Sequence, residues 1–165
     1  MSEPSTPTII MPRLNLPPFT PRLTITGGKP RIWDSLRQRY VALTPEEWVR
    51  QHFVSYLTAS LDYPTPLMAN EVSIDLNGMS RRCDTVVYDT QLRPLMIVEY
   101  KRPGVKITQK VFSQISRYNL TMRVDYLTVS NGLQHFCCKM HYESGTYTFL
   151  ENIPQWSVFV KPNER

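Results

Sequence analysis

The chain has 165 residues, 41% of them apolar and 20% charged, which suits one globular domain with a substantial core and excludes a disordered or fibrous chain. Nineteen Lys and Arg against 14 Asp and Glu give a net charge of +5, compatible with a polyanionic partner without requiring one. Cys83, Cys137 and Cys138 have no metal or disulfide spacing, and no run approaches the roughly 18 apolar residues of a membrane span, so the expectation is a cytoplasmic protein with no membrane contact.

Seven of the 14 prolines fall in residues 1–30, so this arm is expected to be extended, without regular helix or sheet. Residues 31–157 then form the domain and 158–165 a C-terminal tail. Arg31–Asp34 and Arg39–Leu43 read as a short strand pair. Thr44-Pro-Glu-Glu starts a helix, with Thr44 as N-cap, Pro45 in the first turn and Glu47 closing a capping box. That helix is expected to reach about Leu61 on an apolar stripe of Val49, Phe53 and Leu57.

Glu71–Leu76 reads as a strand, Asn77-Gly78 as its turn, and the next strand passes through Asp84 to Val87. A polar turn containing Pro94 leads into a strand ending at Lys101. Thr108 caps a second helix to about Met122, with Val111, Ile115, Tyr118 and Met122 on its apolar face and Gln114 beside them. Strands near Asp125–Ser130, Leu133–Met140 and Thr146–Leu150 finish the chain, with Asn131-Gly132 and Ser144-Gly145 as turns. The order predicts an α/β fold: a mixed central β-sheet flanked by helices. No phosphate-binding Gly loop, helicase motif or G-x-S-x-G is present, and His52, His135 and His141 form no ligand spacing.

Period-two geometry sends Glu99 and Lys101 to one face of their strand, with Met96, Val98 and Tyr100 on the other. A carboxylate and an ammonium at the end of an apolar strand are costly unless they face each other, water or a metal. Asp84 on the preceding strand completes a convergence of three ionisable groups, which marks a site rather than a core.

The spacing Asp84-x14-Glu99-x-Lys101 resembles the PD-(D/E)XK nuclease signature, with Cys83 where the leading proline would stand. Gln114-Ile-Ser-Arg-Tyr118 is similar to the Q-x-x-x-Y motif of RecB-like nucleases and type I restriction R subunits. Tyr126–Gly132 is similar to the strand and turn that follow it there. From about Thr44 to Gly132 the chain thus resembles the N-terminal nuclease domain of type I restriction enzyme R subunits.

This resemblance implies a restriction-endonuclease-like core and metal-dependent cleavage of DNA. It implies Mg²⁺ or Mn²⁺ held by Asp84, Glu99 and the main-chain carbonyl of Tyr100, because hard oxygen ligands select such ions. Lys101 would orient or deprotonate the attacking water. Gln114 would hydrogen-bond the lysine, a carboxylate, the water or a phosphate, with Tyr118 bracing it. A third carboxylate is expected from Glu46, Glu47 or Glu71. The implied partners are DNA, the motor and specificity/methylation subunits of a restriction system and, for cutting both strands, a second copy in a homodimer. The alternative is a non-catalytic nucleic-acid-binding or assembly module that keeps the fold, since no ATP-driven motor is present in these residues.

Overall fold

A computed structural model describes residues 8–76 and 78–160; Asn77, and with it half of the expected Asn77-Gly78 turn, and the side chains of Leu76, Met79, Tyr118 and Thr121 lie outside the described residues. Three short strands, β1 (Leu23–Thr26), β2 (Lys29–Asp34) and β3 (Arg39–Ala42), form an antiparallel sheet. The β2–β3 pair is the expected one. β1 is not: it lies inside the proline-rich arm, where no sheet was expected. The alternation Leu-Thr-Ile-Thr, free of proline between Pro21 and Pro30, is enough to pair with β2 from Leu23↔Ile32 to Thr26↔Lys29. Asp34 ties the β2–β3 turn by accepting from the amides of Leu36 and Arg37, both at 2.9 Å.

Helix α1 (Pro45–Ser55) begins where the capping signal placed it, with the Thr44 hydroxyl accepting from the Glu47 amide at 3.1 Å. The Glu47 side chain does not close the box; it turns inward to Arg37, Arg50 and Gln51. A π-helical turn (Tyr56–Ser60) carries the helix on to the expected end. Val49, Phe53 and Leu57 are fully buried, as the stripe predicted.

The second sheet has six strands in sequential order: β4 (Met68–Leu76), β5 (Met79–Tyr88), β6 (Pro94–Tyr100), β7 (Tyr126–Ser130), β8 (His135–His141) and β9 (Thr146–Phe149). All neighbours are antiparallel except β6 and β7, which run parallel because helix α2 (Gln109–Met122) forms the crossover between them. The α/β class and the mixed, helix-flanked sheet therefore match expectation.

The helices cover opposite faces. On one side Val49, Phe53 and Leu57 pack against Met68, Val87, Met96, Val98 and Tyr100. On the other, Phe112 and Met122 pack against Cys83, Val86, Ile97, Leu127 and Val129. β6 thus buries both faces, with the alternation that period two required.

The buried face of α2 differs in part from the predicted one, although Met122 is buried as predicted. Phe112, Ser116 and Asn119 face the sheet, while Val111 and Ile115 are only half-buried and Gln114 is exposed. The Ser116 hydroxyl donates to the Ser113 carbonyl at 2.9 Å and the Asn119 amide nitrogen to the Val124 carbonyl at 3.0 Å, while Asn119 Oδ1 is buried without a partner among the described residues. No described helix is long and apolar enough to cross a membrane.

Candidate active site

The β4–β5 ladder skips one pair. Asn70 pairs with Thr85 and Val72 with Cys83, but Glu71 and Asp84 between them are not paired. Glu71 stands in the left-handed region, at φ 55°, which is costly for a non-glycine residue and marks a local constraint. Both strands change phase here: Met68 faces the α1 side while Val72 and Ile74 face the α2 side, and Cys83 shares the α2 side with Val86, three residues on. The β5–β6 ladder also stops at Thr85↔Val98. The strands therefore part at Asp84, and polar side chains take over the unpaired backbone groups.

The Asp84 carboxylate accepts from the Tyr100 amide at 2.9 Å, the first amide beyond the end of that ladder save one. The Asp84 carbonyl accepts from Arg50 Nη1 at 2.6 Å. Arg50, 5% exposed, is the hub of the surroundings. Its other nitrogens bond Glu47 Oε1 at 2.6 Å, Glu47 Oε2 at 3.2 Å and Glu71 Oε1 at 2.7 Å. Arg37 also reaches Glu47, at 2.6 Å, and bonds Asp34, so the small sheet, α1 and the aspartate strand share one ion-pair chain. Burial works against the Asp34 charge, but the Arg37 amide, Asn70 and the Arg37 guanidinium hold its carboxyl below the ordinary range. A second path runs through Asn70, which donates to Asp34 and accepts from Thr85 Oγ1 at 2.6 Å; Thr85 in turn accepts from the Tyr100 hydroxyl at 3.0 Å.

On the α2 side, Glu99 lies near enough to Asp84 for the two charges to act on each other. Burial, followed by the Asp84 charge, pushes the Glu99 carboxyl up to about 8, against the pull of Arg81 and Lys101. Arg81 Nη2 meets Glu99 Oε1 at 2.6 Å, with the two side chains only 15% and 14% exposed. Arg81, Glu99, Lys101, Gln114 and Ile115 line one cleft of about 340 Å³. The Lys101 amide donates to the Ser130 carbonyl at 2.8 Å, fixing the chain just past Tyr100.

The structure thus brings Asp84, Glu99, the Tyr100 main chain, Lys101 and Gln114 together. Tyr118 is on the backbone of α2, but its side chain lies outside the described residues. The third carboxylate does not appear. Glu46 is exposed, Glu47 and Glu71 are tied up by Arg50, and among the described residues no group of three His, Cys, Asp or Glu could hold a metal. Sequence reasoning gave neither Arg81 nor Arg50 a specific role at the site. A cross-strand partner for Glu99 is legible only once the register is known.

A hard divalent ion fits what is present. Two neighbouring carboxylates, one pushed toward its protonated form by burial and then by the other, are a donor pair whose repulsion such an ion relieves. Both are hard oxygen donors, and the Tyr100 carbonyl would add a third.

Comparison with known proteins gives a consistent picture. No curated protein matches the chain. Among solved structures it is similar to a fragment of a putative HsdR subunit of a type I restriction enzyme from Vibrio vulnificus YJ016, at TM-score 0.50 and 15% identity. That likeness is one of fold, covering 71% of this chain and 24% of the fragment, so the chain spans about a quarter of its relative's length. Residues 45–154, which hold α1, the six-stranded sheet, α2 and the whole cleft, match the family described as Type I restriction enzyme R protein N terminus (HSDR_N), and the chain belongs to that family.

Proposed function

We propose that residues 31–157 are a metal-dependent endodeoxyribonuclease domain that hydrolyses phosphodiester bonds in DNA. The observation that supports this best is Glu99, its carboxyl raised by burial and by the neighbouring Asp84 charge, in one cleft with Lys101 and Gln114. Mg²⁺ or Mn²⁺, held by Asp84, Glu99 and the Tyr100 carbonyl, would supply Lewis-acid stabilisation of charge on the phosphate and the leaving oxygen.

The chain's own residues do the rest. The Tyr100 amide orients Asp84, and Arg50 holds its main chain through the carbonyl. Lys101, two residues along the strand from Glu99, directs its ammonium charge to the attacking water and the phosphate. Gln114, on α2 across the cleft, offers both a donor and an acceptor to the same water or to a phosphate oxygen. By family, the domain would work with the motor and specificity/methylation subunits of a cytoplasmic restriction system, and a second copy would serve the second strand.

The test is Lys101→Ala. Plasmid nicking should fall at least ~100-fold, the scale of a lost proton-transfer or charge-stabilising group. Mn²⁺ binding and the melting temperature should stay at the parent's values. Nicking at the parent's rate would remove Lys101 from the chemistry.

One observation favours a second reading. Glu99 already has a fixed counter-ion in Arg81, as suits a metal-free nucleic-acid-binding or assembly module. DNA binding would then fall steeply with salt and be indifferent to divalent ions, and Lys106→Ala/Lys110→Ala would weaken it where Asp84→Ala would not.

A further inference from the structure

Arg81 has no assigned part in such a site, yet its guanidinium lies on a carboxylate oxygen of Glu99 at 2.6 Å, inside the cleft that Lys101 and Gln114 also line. Both side chains are largely buried, so this is not a solvated surface pair. A metal–oxygen bond of roughly 2.1 Å to Glu99 would set a divalent charge against that guanidinium within a cleft of low dielectric. The two cations compete for one carboxylate. A guanidinium is also a planar fork matched to phosphate oxygens, and phosphate is the group a nuclease cleft must seat. Arg81 is on β5, three residues before Asp84, so it reaches the same end of the sheet from the strand that carries the aspartate.

Resting on the nuclease reading above, we infer that Arg81 is a positioning residue which occupies Glu99 until a divalent ion displaces it, and which then passes to a phosphate of the bound DNA. Metal and substrate consequently load together. Without DNA, Arg81 keeps metal affinity low; with DNA, the phosphate takes the guanidinium and leaves Glu99 to the ion. The coupling is reciprocal, because each ligand frees the group that the other needs.

Calorimetric titration of Mn²⁺ into the whole chain and into Arg81→Met, which keeps the aliphatic stem, tests the first half. The Met variant should bind Mn²⁺ about 10-fold more tightly, an ordinary size for such coupling. Arg81→Gln, which can still hydrogen-bond Glu99, carries the same expectation should the Met variant not fold. The second half is read on a Lys101→Met background, which removes the ammonium needed for cleavage. There a short duplex should tighten Mn²⁺ binding about 10-fold, and adding Arg81→Met should abolish that effect. If the parent binds Mn²⁺ and the Arg81 variants bind it equally or more weakly, or if the duplex effect survives Arg81→Met, the inference is wrong and the nuclease reading stands. If neither parent nor variants bind Mn²⁺, both fall.

Discussion

Glu99→Gln keeps the size of the side chain and removes its charge. In the folded protein, burial and the Asp84 carboxylate hold the Glu99 proton to about 8, against an ordinary 4.5. Between about pH 4.5 and 8 the folded state therefore binds more protons than the unfolded chain, and stability must fall as pH rises through that window. No penalty applies below it, and the full penalty applies above. A shift of this size corresponds to a loss on the order of 5 kcal/mol, or about 10–20 °C in melting temperature for a domain of this length. Burial of His52 and His135 lowers their pKa and gives a slope of opposite sign below neutrality, so the informative quantity is the difference between parent and variant. Thermal melts followed by circular dichroism from pH 5 to 9, in chelator, should show the parent losing stability relative to Glu99→Gln as pH rises. Mn²⁺ at pH 8 should restore the parent and leave the variant unchanged. Parallel melting profiles would refute the coupled-carboxylate argument.

Two further substitutions test the supports of the site. Arg50→Met removes one of the two guanidiniums on each of Glu47 and Glu71 and leaves the Asp84 carbonyl without its donor, and chemical denaturation should show a loss of about 1–3 kcal/mol. A loss below about 1 kcal/mol would mean that the network does not bear on the fold. Gly132 lies at φ +84°, and a Cβ there would come within 2.7 Å of Leu14 Cδ2, where the arm bonds the β7–β8 turn through the Asn15 amide and the Gly132 carbonyl at 2.8 Å. Gly132→Ala should cost roughly 1–2 kcal/mol for the backbone alone and speed tryptic cleavage after Arg13; unchanged cleavage would show that this contact does not hold the arm.

What the sequence made legible was local. Capping at Thr44 and Thr108, the stripe of Val49, Phe53 and Leu57, and the alternation of β6 all depend on neighbours within a few residues, and all appear where expected. What stayed hidden depends on register or on residues whose type misleads. Glu71 carries no turn signal, yet its left-handed backbone opens the sheet beside Asp84. Arg81 and Glu99 are 18 residues apart and meet only across two strands. Arg50 reads as one more helix-surface cation until Glu47, Glu71 and the Asp84 carbonyl are seen to converge on it. Asn119 and Ser116 are polar and yet buried, so the buried face of α2 is not legible from its apolar residues alone.

The most direct test of the central claim is titration of Mg²⁺ or Mn²⁺ into the purified protein and into its Asp84→Ala/Glu99→Ala variant, with plasmid nicking followed in parallel. The account predicts metal binding and nicking in the parent and the loss of both in the double variant. Nicking that persists in the double variant, or a parent that binds neither ion, would contradict it.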